Sequence, residues 1–67
     1  MSKWEFVAKT IRRWIKRKQF EPGDALPSQD DLSEYFGCSR ETIRRALLDL
    51  EYNGYIVLNQ GAKAKVK

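Results

Sequence analysis

Only two residues, Gly37 and Cys38, separate two segments whose apolar residues have helical spacing. The first segment ends at Phe36, and Ser39 carries the kind of side chain that commonly caps the start of a helix. Glycine readily adopts the left-handed backbone that closes a helix, so the chain can turn sharply at Gly37. A connection this short predicts two helices that meet at a corner, as in a helix-turn-helix.

The rest of the first 54 residues predicts one more helix before this pair. The stretch SKWE, residues 2–5, has the pattern of a capping box, and apolar spacing predicts a first helix over about residues 3–18. EPGD, residues 21–24, predicts a turn, and Ala25-Leu26 a very short strand after it. Ser28 is the predicted cap of the second helix. Asn53-Gly54 is the predicted end of the third.

The last thirteen residues change to β periodicity. YIVL, residues 55–58, is rich in strand-forming side chains, and NQGA, residues 59–62, predicts a turn. KAKVK, residues 63–67, alternates lysine with alanine or valine, which predicts a hairpin with one apolar and one basic face. The predicted fold is mainly α with a small β-hairpin (α+β). It is a winged helix-turn-helix of three helices and a two-stranded wing, forming one domain over residues 1–67.

The residue types present argue against catalysis. The chain has no histidine and a single cysteine, so it lacks the commonest general base and the usual zinc ligands. We therefore expect no catalytic residue, no cofactor and no metal site. No apolar run approaches the roughly 18 residues that cross a bilayer, and the N-terminus lacks the apolar core of a signal peptide. A cytoplasmic location is expected.

The charge pattern favours a polyanionic partner. The net charge of +4 divides into +6 over residues 1–20, −5 over residues 21–38 and +3 over residues 39–67. Two basic regions therefore flank an acidic middle, and the third predicted helix carries arginines beside its apolar face. A helix of this kind next to a basic hairpin is typical of DNA binding through the major groove.

Two stretches carry a resemblance to a known family: FEPGDALPSQDDLSEYFGCSRETIRRALLDLEYNGYI and, after it, NQGAKAKV. They resemble the DNA-binding domain of the gluconate-repressor (GntR) family of bacterial regulators. The LPS, GxSRxTIRxAL and NGYI elements are the most specific, and the resemblance covers essentially all of the chain. It implies sequence-specific binding to double-stranded DNA by a transcriptional regulator, and we expect a repressor.

The resemblance also implies which residues contact DNA. Arg40, Thr42 and Arg44 match the base- and phosphate-contacting positions of the family's recognition helix. Ser39 matches the N-terminal cap of that helix. Gly61 matches the wing-tip glycine that can approach the floor of the minor groove.

Two further DNA contacts, Arg45 and Lys63, are expected. A helical wheel with Ile43 at zero places Arg45 at about 200° and Glu41 at about 160°, the most exposed directions, and Arg44 on the flank at about 100°. We retain Arg44 as the base-reading residue on the strength of the resemblance, and we assign Arg45 to a phosphate. Lys63 replaces the second glycine of the family's wing and is expected at the DNA backbone.

The chain departs from the family pattern just before the corner. Gln29 and Asp30 occupy positions where the family usually has Glu-Arg, and that arginine typically contacts DNA. A carboxylate cannot make a favourable phosphate contact, so this contact is lost or the sequence preference is altered. The additional positive charge of the wing would compensate electrostatically.

The resemblance extends to the wider protein, and one alternative class stays open. Family members bind a palindromic operator as homodimers, and an effector-binding domain, absent from this chain, follows the DNA-binding domain. A small-molecule effector would act only through that domain, and the isolated domain is expected to be a monomer. The alternative is a winged-helix protein–protein interaction module. That module should have an exposed apolar patch on the third helix, where only Leu48 is suitable.

Overall fold

The computed structural model describes residues 1–59 and 63–67 and contains three helices followed by a two-stranded antiparallel sheet. The elements are α1 (Lys3–Lys16), α2 (Gln29–Phe36), α3 (Arg40–Tyr52), β1 (Ile56–Val57) and β2 (Lys65–Val66). The predicted order of three helices and a wing is confirmed. Residues 60–62, which include most of the predicted turn, lie outside the described residues.

All three predicted helix caps are present. Ser2 donates its backbone N–H to Oε1 of Glu5 (3.0 Å) and accepts from the backbone N–H of Glu5 (3.4 Å), which completes the capping box. The hydrogen bonds from Ser2, first from its backbone and then from its hydroxyl, lower the pKa of Glu5. Their contribution to stability is therefore present at neutral pH and is lost as the pH falls through that lowered pKa. Ser28 and Ser39 accept from the backbone N–H groups three residues later.

Helix α1 ends two residues earlier than the spacing predicted. The backbone N–H of Lys18 donates to Ile15 (3.0 Å), and that of Gln19 donates to Trp14 (3.1 Å). This is a Schellman closure, and it requires a left-handed residue, which is Lys18 at φ 59°. Glycine usually occupies this left-handed position, and lysine is disfavoured there. Since the position holds lysine, the sequence contained no signal that the helix ends here.

The helix-turn-helix corner follows the predicted geometry. Gly37 is left-handed (φ 66°, ψ 42°) and its N–H donates to the carbonyl of Ser33, to which the N–H of Cys38 also donates at 3.0 Å. The small side chain of Ser33 and the bare backbone of Gly37 let α2 and α3 meet with three residues between them, the last of which, Ser39, caps α3. Cys38 is half-buried and packs against the core.

The wing is fixed to the loop that precedes α2. Within the sheet, Ile56 pairs with Val66. On the other side of β2, the N–H of Gly23 donates to Val66 (2.7 Å), the N–H of Val66 to Asp24 (2.8 Å), and the N–H of Leu26 to Ala64 (2.8 Å). The very short strand predicted at Ala25-Leu26 is thus a single antiparallel bridge, between Ala25 and Lys65. Residues 23–26 therefore pair with the outer edge of β2, as a short third strand would.

One apolar core joins every element. Its thirteen buried side chains are Val7, Ala8, Ile11, Leu26, Leu32, Phe36, Ile43, Ala46, Leu47, Leu50, Ile56, Ala64 and Val66. No polar or charged residue among the described ones is buried. In the wing the lysines at 63, 65 and 67 are exposed and the residues between them are buried, as the alternation predicted. No helix within residues 1–59 and 63–67 is long and apolar enough to cross a membrane.

Replacement of Lys18 by glycine is expected to stabilise the domain. The change removes the strain of a left-handed lysine, which stabilises the folded state, but it also raises the chain entropy of the unfolded state. The net effect should be a free energy of unfolding higher by about 0.5–1 kcal/mol. The control is Lys9→Gly, at an exposed position in the middle of α1, which should lower it by about 1 kcal/mol. Urea unfolding followed by circular dichroism measures both. Equal destabilisation by the two variants would contradict the left-handed backbone at Lys18.

Candidate nucleic-acid interface

Helix α3 packs one side into the core and leaves its arginines in solvent. Ile43, Ala46, Leu47 and Leu50 are buried, whereas Arg40, Arg44 and Arg45 are exposed. The three arginines have different surroundings, however. The structure places Arg40 beside α2, Arg44 beside the wing and Arg45 beside α1.

Two hydroxyl groups pair at the start of α3. Oγ of Ser39 accepts from the backbone N–H of Thr42 (3.2 Å) and lies 3.0 Å from Oγ1 of Thr42. The two hydroxyls carry two protons, and one of these is shared between them. The pair therefore retains one O–H that can donate to an acceptor outside the protein, next to the exposed N-terminus of α3.

Arg40, the first residue of α3, forms an ion pair across the corner. Its Nη1 donates to Oδ1 of Asp30 at 2.8 Å, and the two side chains are 68% and 72% exposed. An ion pair this exposed contributes at most about 1 kcal/mol to folding. The contact occupies one of the five N–H donors of the guanidinium group, so most of its hydrogen-bonding edge stays available. Both residues were expected near DNA from the sequence, but their contact with each other was not predicted.

Arg44 and Lys63 line one groove of about 600 Å³, open to solvent, between α3 and the wing. Arg44 comes from α3 and Lys63 from the residues just before β2. Gln29 at the start of α2 and the half-exposed Leu48 also line it. None of the described lining residues is acidic. Two cations in a groove without carboxylates form a site suited to an anion such as a phosphate.

Arg45 faces α1 and stands apart from this groove. Its guanidinium lies 4.8 Å from the ring centroid of Trp4, in a cation–π contact. The wheel of α3 alone predicted the exposure of Arg45, but it could not show that Trp4 covers one face of the guanidinium. A cation–π contact with one ring engages only part of the guanidinium group, so N–H donors of Arg45 remain to bind a partner.

One contact that fixes the wing was missed by the sequence analysis. Oε2 of Glu51, in the last turns of α3, accepts from the backbone N–H of Leu58 at 3.0 Å, just beyond β1. This bond connects the helix directly to the strand that leads into the wing. No pattern of residue types indicates it, because an exposed glutamate on a helix has many possible partners. Gly61, the predicted wing-tip contact, lies outside the described residues.

Comparisons with known proteins agree with this architecture. A family model described as "Bacterial regulatory proteins, gntR family" matches residues 3–66. Curated relatives include the "HTH-type transcriptional repressor NanR" of Citrobacter rodentium, 36% identical over 62 residues, and that of Enterobacter sp. (strain 638), 34% identical over 62 residues. Each alignment covers 92% of this chain and 24% of the relative. The chain thus spans about a quarter of the length of these relatives.

Solved structures show the same fold. AraR(DBD) in complex with operator ORE1 is 33% identical and superposes with a TM-score of 0.97, covering 100% of this chain and 82% of that one. The possible transcriptional regulator YydK of Bacillus subtilis is also 33% identical, with a TM-score of 0.89 over 98% of this chain and 29% of that one. These structures show that the fold is the winged helix-turn-helix.

The different surroundings of Arg44 and Arg45 predict different effects on stability. Arg45→Ala should lower the free energy of unfolding by about 0.5–1 kcal/mol, because it removes the cation–π contact with Trp4. Arg44→Ala, one residue earlier on the same helix, is the matched control and should change it by less than about 0.5 kcal/mol. Urea unfolding of both variants tests this. A loss in Arg45→Ala that persists when Trp4 is replaced by leucine would contradict the contact.

Proposed function

The chain belongs to the GntR family of bacterial regulatory proteins, and from that membership we propose that it is the sequence-specific DNA-binding domain of a transcriptional regulator. The observation that carries the proposal is the groove between α3 and the wing, to which each element contributes one cation, Arg44 and Lys63. Such a groove suits a duplex, because Lys63 can contact the phosphate backbone from the wing while Arg44 extends from α3 towards the major groove. AraR(DBD), which shares the fold, is described in complex with an operator.

In this proposal α3 reads bases through its N-terminal half. The major groove is wide enough to admit a helix, and Arg40 and Arg44 lie four residues apart on α3. Four residues advance a helix by roughly 6 Å, which is close to two base-pair steps. The two guanidinium groups would therefore reach base edges about two pairs apart, where arginine can form bidentate bonds to guanine.

The other predicted site residues would anchor the domain to phosphates. Lys63 faces the backbone from the wing side of the groove, and the free O–H of the Ser39–Thr42 pair donates at the start of α3. Arg45 would reach a flanking phosphate through its remaining N–H groups while it keeps its contact with Trp4. Gly61 remains the proposed wing-tip contact with the minor groove. Phosphate contacts supply affinity and register, and base contacts supply specificity.

We extend the proposal to the regulator as a whole. Because the curated relatives are named transcriptional repressors, repression is the proposed sign of regulation. A homodimer on a palindromic operator follows from the symmetry with which winged-helix regulators bind duplexes. The proposed action is binding alone, without catalysis, in the cytoplasm where bacterial operators are found.

A protein-docking role is the second candidate, and one residue favours it. Leu48 is 48% exposed and lines the same groove as Arg44. A docking surface would depend on Leu48 and not on the cations that surround it. Leu48→Ser should therefore leave retention on immobilised heparin and duplex affinity nearly unchanged if the groove binds DNA. A tenfold loss of duplex affinity in this variant, with wild-type stability, would favour an apolar partner surface.

DNA binding should select a sequence and should weaken with salt. A random duplex pool bound to a dimeric form of the protein identifies the preferred site, and fluorescence anisotropy at two salt concentrations then measures affinity. A plot of the logarithm of the binding constant against the logarithm of the salt concentration should have a slope of about −0.9 for each phosphate contacted. Enrichment of no sequence, or an affinity that does not depend on salt, would contradict the proposed function.

Arg44 and Lys63 should affect binding in different ways. Arg44→Ala should cost about 1–3 kcal/mol on the selected site and relax the preference at one base pair. Lys63→Ala should weaken all duplexes alike and reduce the salt slope by about 1. Lys65→Ala, which removes the same charge two residues later and outside the groove, is the control and should change both quantities less. Equal effects of the two lysine variants would contradict the role of the groove.

A further inference from the structure

We infer that Asp30 is a specificity-determining residue: its carboxylate positions the guanidinium of Arg40 for base edges and keeps it from the phosphate backbone. The inference rests on the proposed function and goes beyond it, since it assigns a role to an acidic residue on the DNA side of the domain. Among the described residues, Arg40 and Asp30 form the only ion pair closer than 4 Å. It joins the first turn of α2 to the first residue of α3.

The geometry of the pair leaves Arg40 able to bind a base. A single bond, from Nη1 to Oδ1 at 2.8 Å, occupies one of five donors. The remaining donors include two that are parallel, as a bidentate contact with guanine O6 and N7 requires. Because only three residues join α2 to α3 and the Asp30 backbone lies within α2, the short side chain of Asp30 restricts the directions in which the longer side chain of Arg40 can point.

The charge of Asp30 discriminates between the two kinds of DNA acceptor. A phosphate near Arg40 would also lie near the Asp30 carboxylate, and the two anions repel each other. A guanine edge is neutral and presents acceptors without net charge, so Asp30 opposes that contact much less. Arg40 paired with Asp30 therefore loses part of its attraction for any duplex backbone but keeps its ability to recognise a base. The consequence is a higher ratio of specific to nonspecific affinity.

Asp31 provides a matched control on the same turn of α2. It carries the same charge and is exposed, but it lines a different surface groove, with Trp14, Phe20 and Tyr35. No ion pair joins Asp31 to Arg40 in the part of the chain that the structure describes. Asp30→Asn and Asp31→Asn therefore change the net charge equally, and only the first removes the partner of Arg40.

The test compares both variants with wild type on the duplex selected by the wild-type protein and on an unrelated duplex. Both variants should bind the unrelated duplex more tightly, because each removes one negative charge. Only Asp30→Asn should also lower the ratio of specific to nonspecific affinity, by about 2- to 10-fold compared with Asp31→Asn. This factor corresponds to the cost of ordering the Arg40 side chain, which Asp30 no longer holds in place. The lost preference should fall on the base pair that Arg40→Ala also relaxes, and Asp30→Glu should restore part of it.

The outcomes separate the inference from the proposed function. Failure of the wild-type protein to select any duplex overturns the proposed function. A wild-type protein that selects a site, while Asp30→Asn and Asp31→Asn keep identical base preferences, overturns only the role of Asp30. Further loss of preference on adding Asp30→Asn to Arg40→Ala would also overturn it, since Asp30 would then act without Arg40. Unfolding of each variant in urea is measured in parallel, because a variant that changes base preference at unchanged stability supports positioning and not folding.

Discussion

The backbone hydrogen bonds between residues 23–26 and the strand that returns from the wing fix the position of the wing relative to α3. Gly23, Asp24 and Leu26 pair with the strand that returns from the wing, and the same segment leads directly into α2. The wing alone is a two-stranded sheet with two residues in each strand, too small to be stable by itself. Its orientation therefore depends on this third segment and, on the side of β1, on the bond between Glu51 and Leu58. The groove that contains Arg44 and Lys63 exists because both connections hold the wing against α3.

The features that could be predicted from the sequence are those determined within a few residues. Caps depend on a hydroxyl and an N–H three residues apart, and the corner depends on Gly37. The burial of alternate wing residues follows from the period of a strand. Each was predicted and is present. The end of α1 was misplaced by two residues, because its left-handed position is occupied by lysine, where the preference for glycine gives no signal.

The surroundings of the site residues could not be predicted in this way. The contacts of Arg40 with Asp30 and of Arg45 with Trp4 join residues ten and forty-one positions apart, and each depends on how whole helices pack. A wheel of α3 describes exposure relative to one axis, so it could not distinguish an arginine in open solvent from one stacked on a neighbouring helix. The family resemblance indicated which positions contact DNA in relatives. It could not indicate the partner of Arg40, because the family usually has an arginine where this chain has Asp30.

These contacts also explain how an acidic segment can lie next to a surface proposed to bind DNA. Residues 21–38 carry a net charge of −5, which would repel a duplex if it all faced the same way as α3. The structure separates this charge. Asp31 lines the groove beside Trp14 and Tyr35, Asp24 accepts from the backbone of Glu21 in the turn, and Asp30 is paired with Arg40. Within residues 21–38, the carboxylate beside the start of α3 is thus engaged with a cation, and the groove that contains Arg44 and Lys63 has no acidic residue among its described lining. Among the described residues, Asp30 is the carboxylate of this segment that forms an ion pair with α3, and the inferred rejection of phosphates in favour of bases rests on that contact.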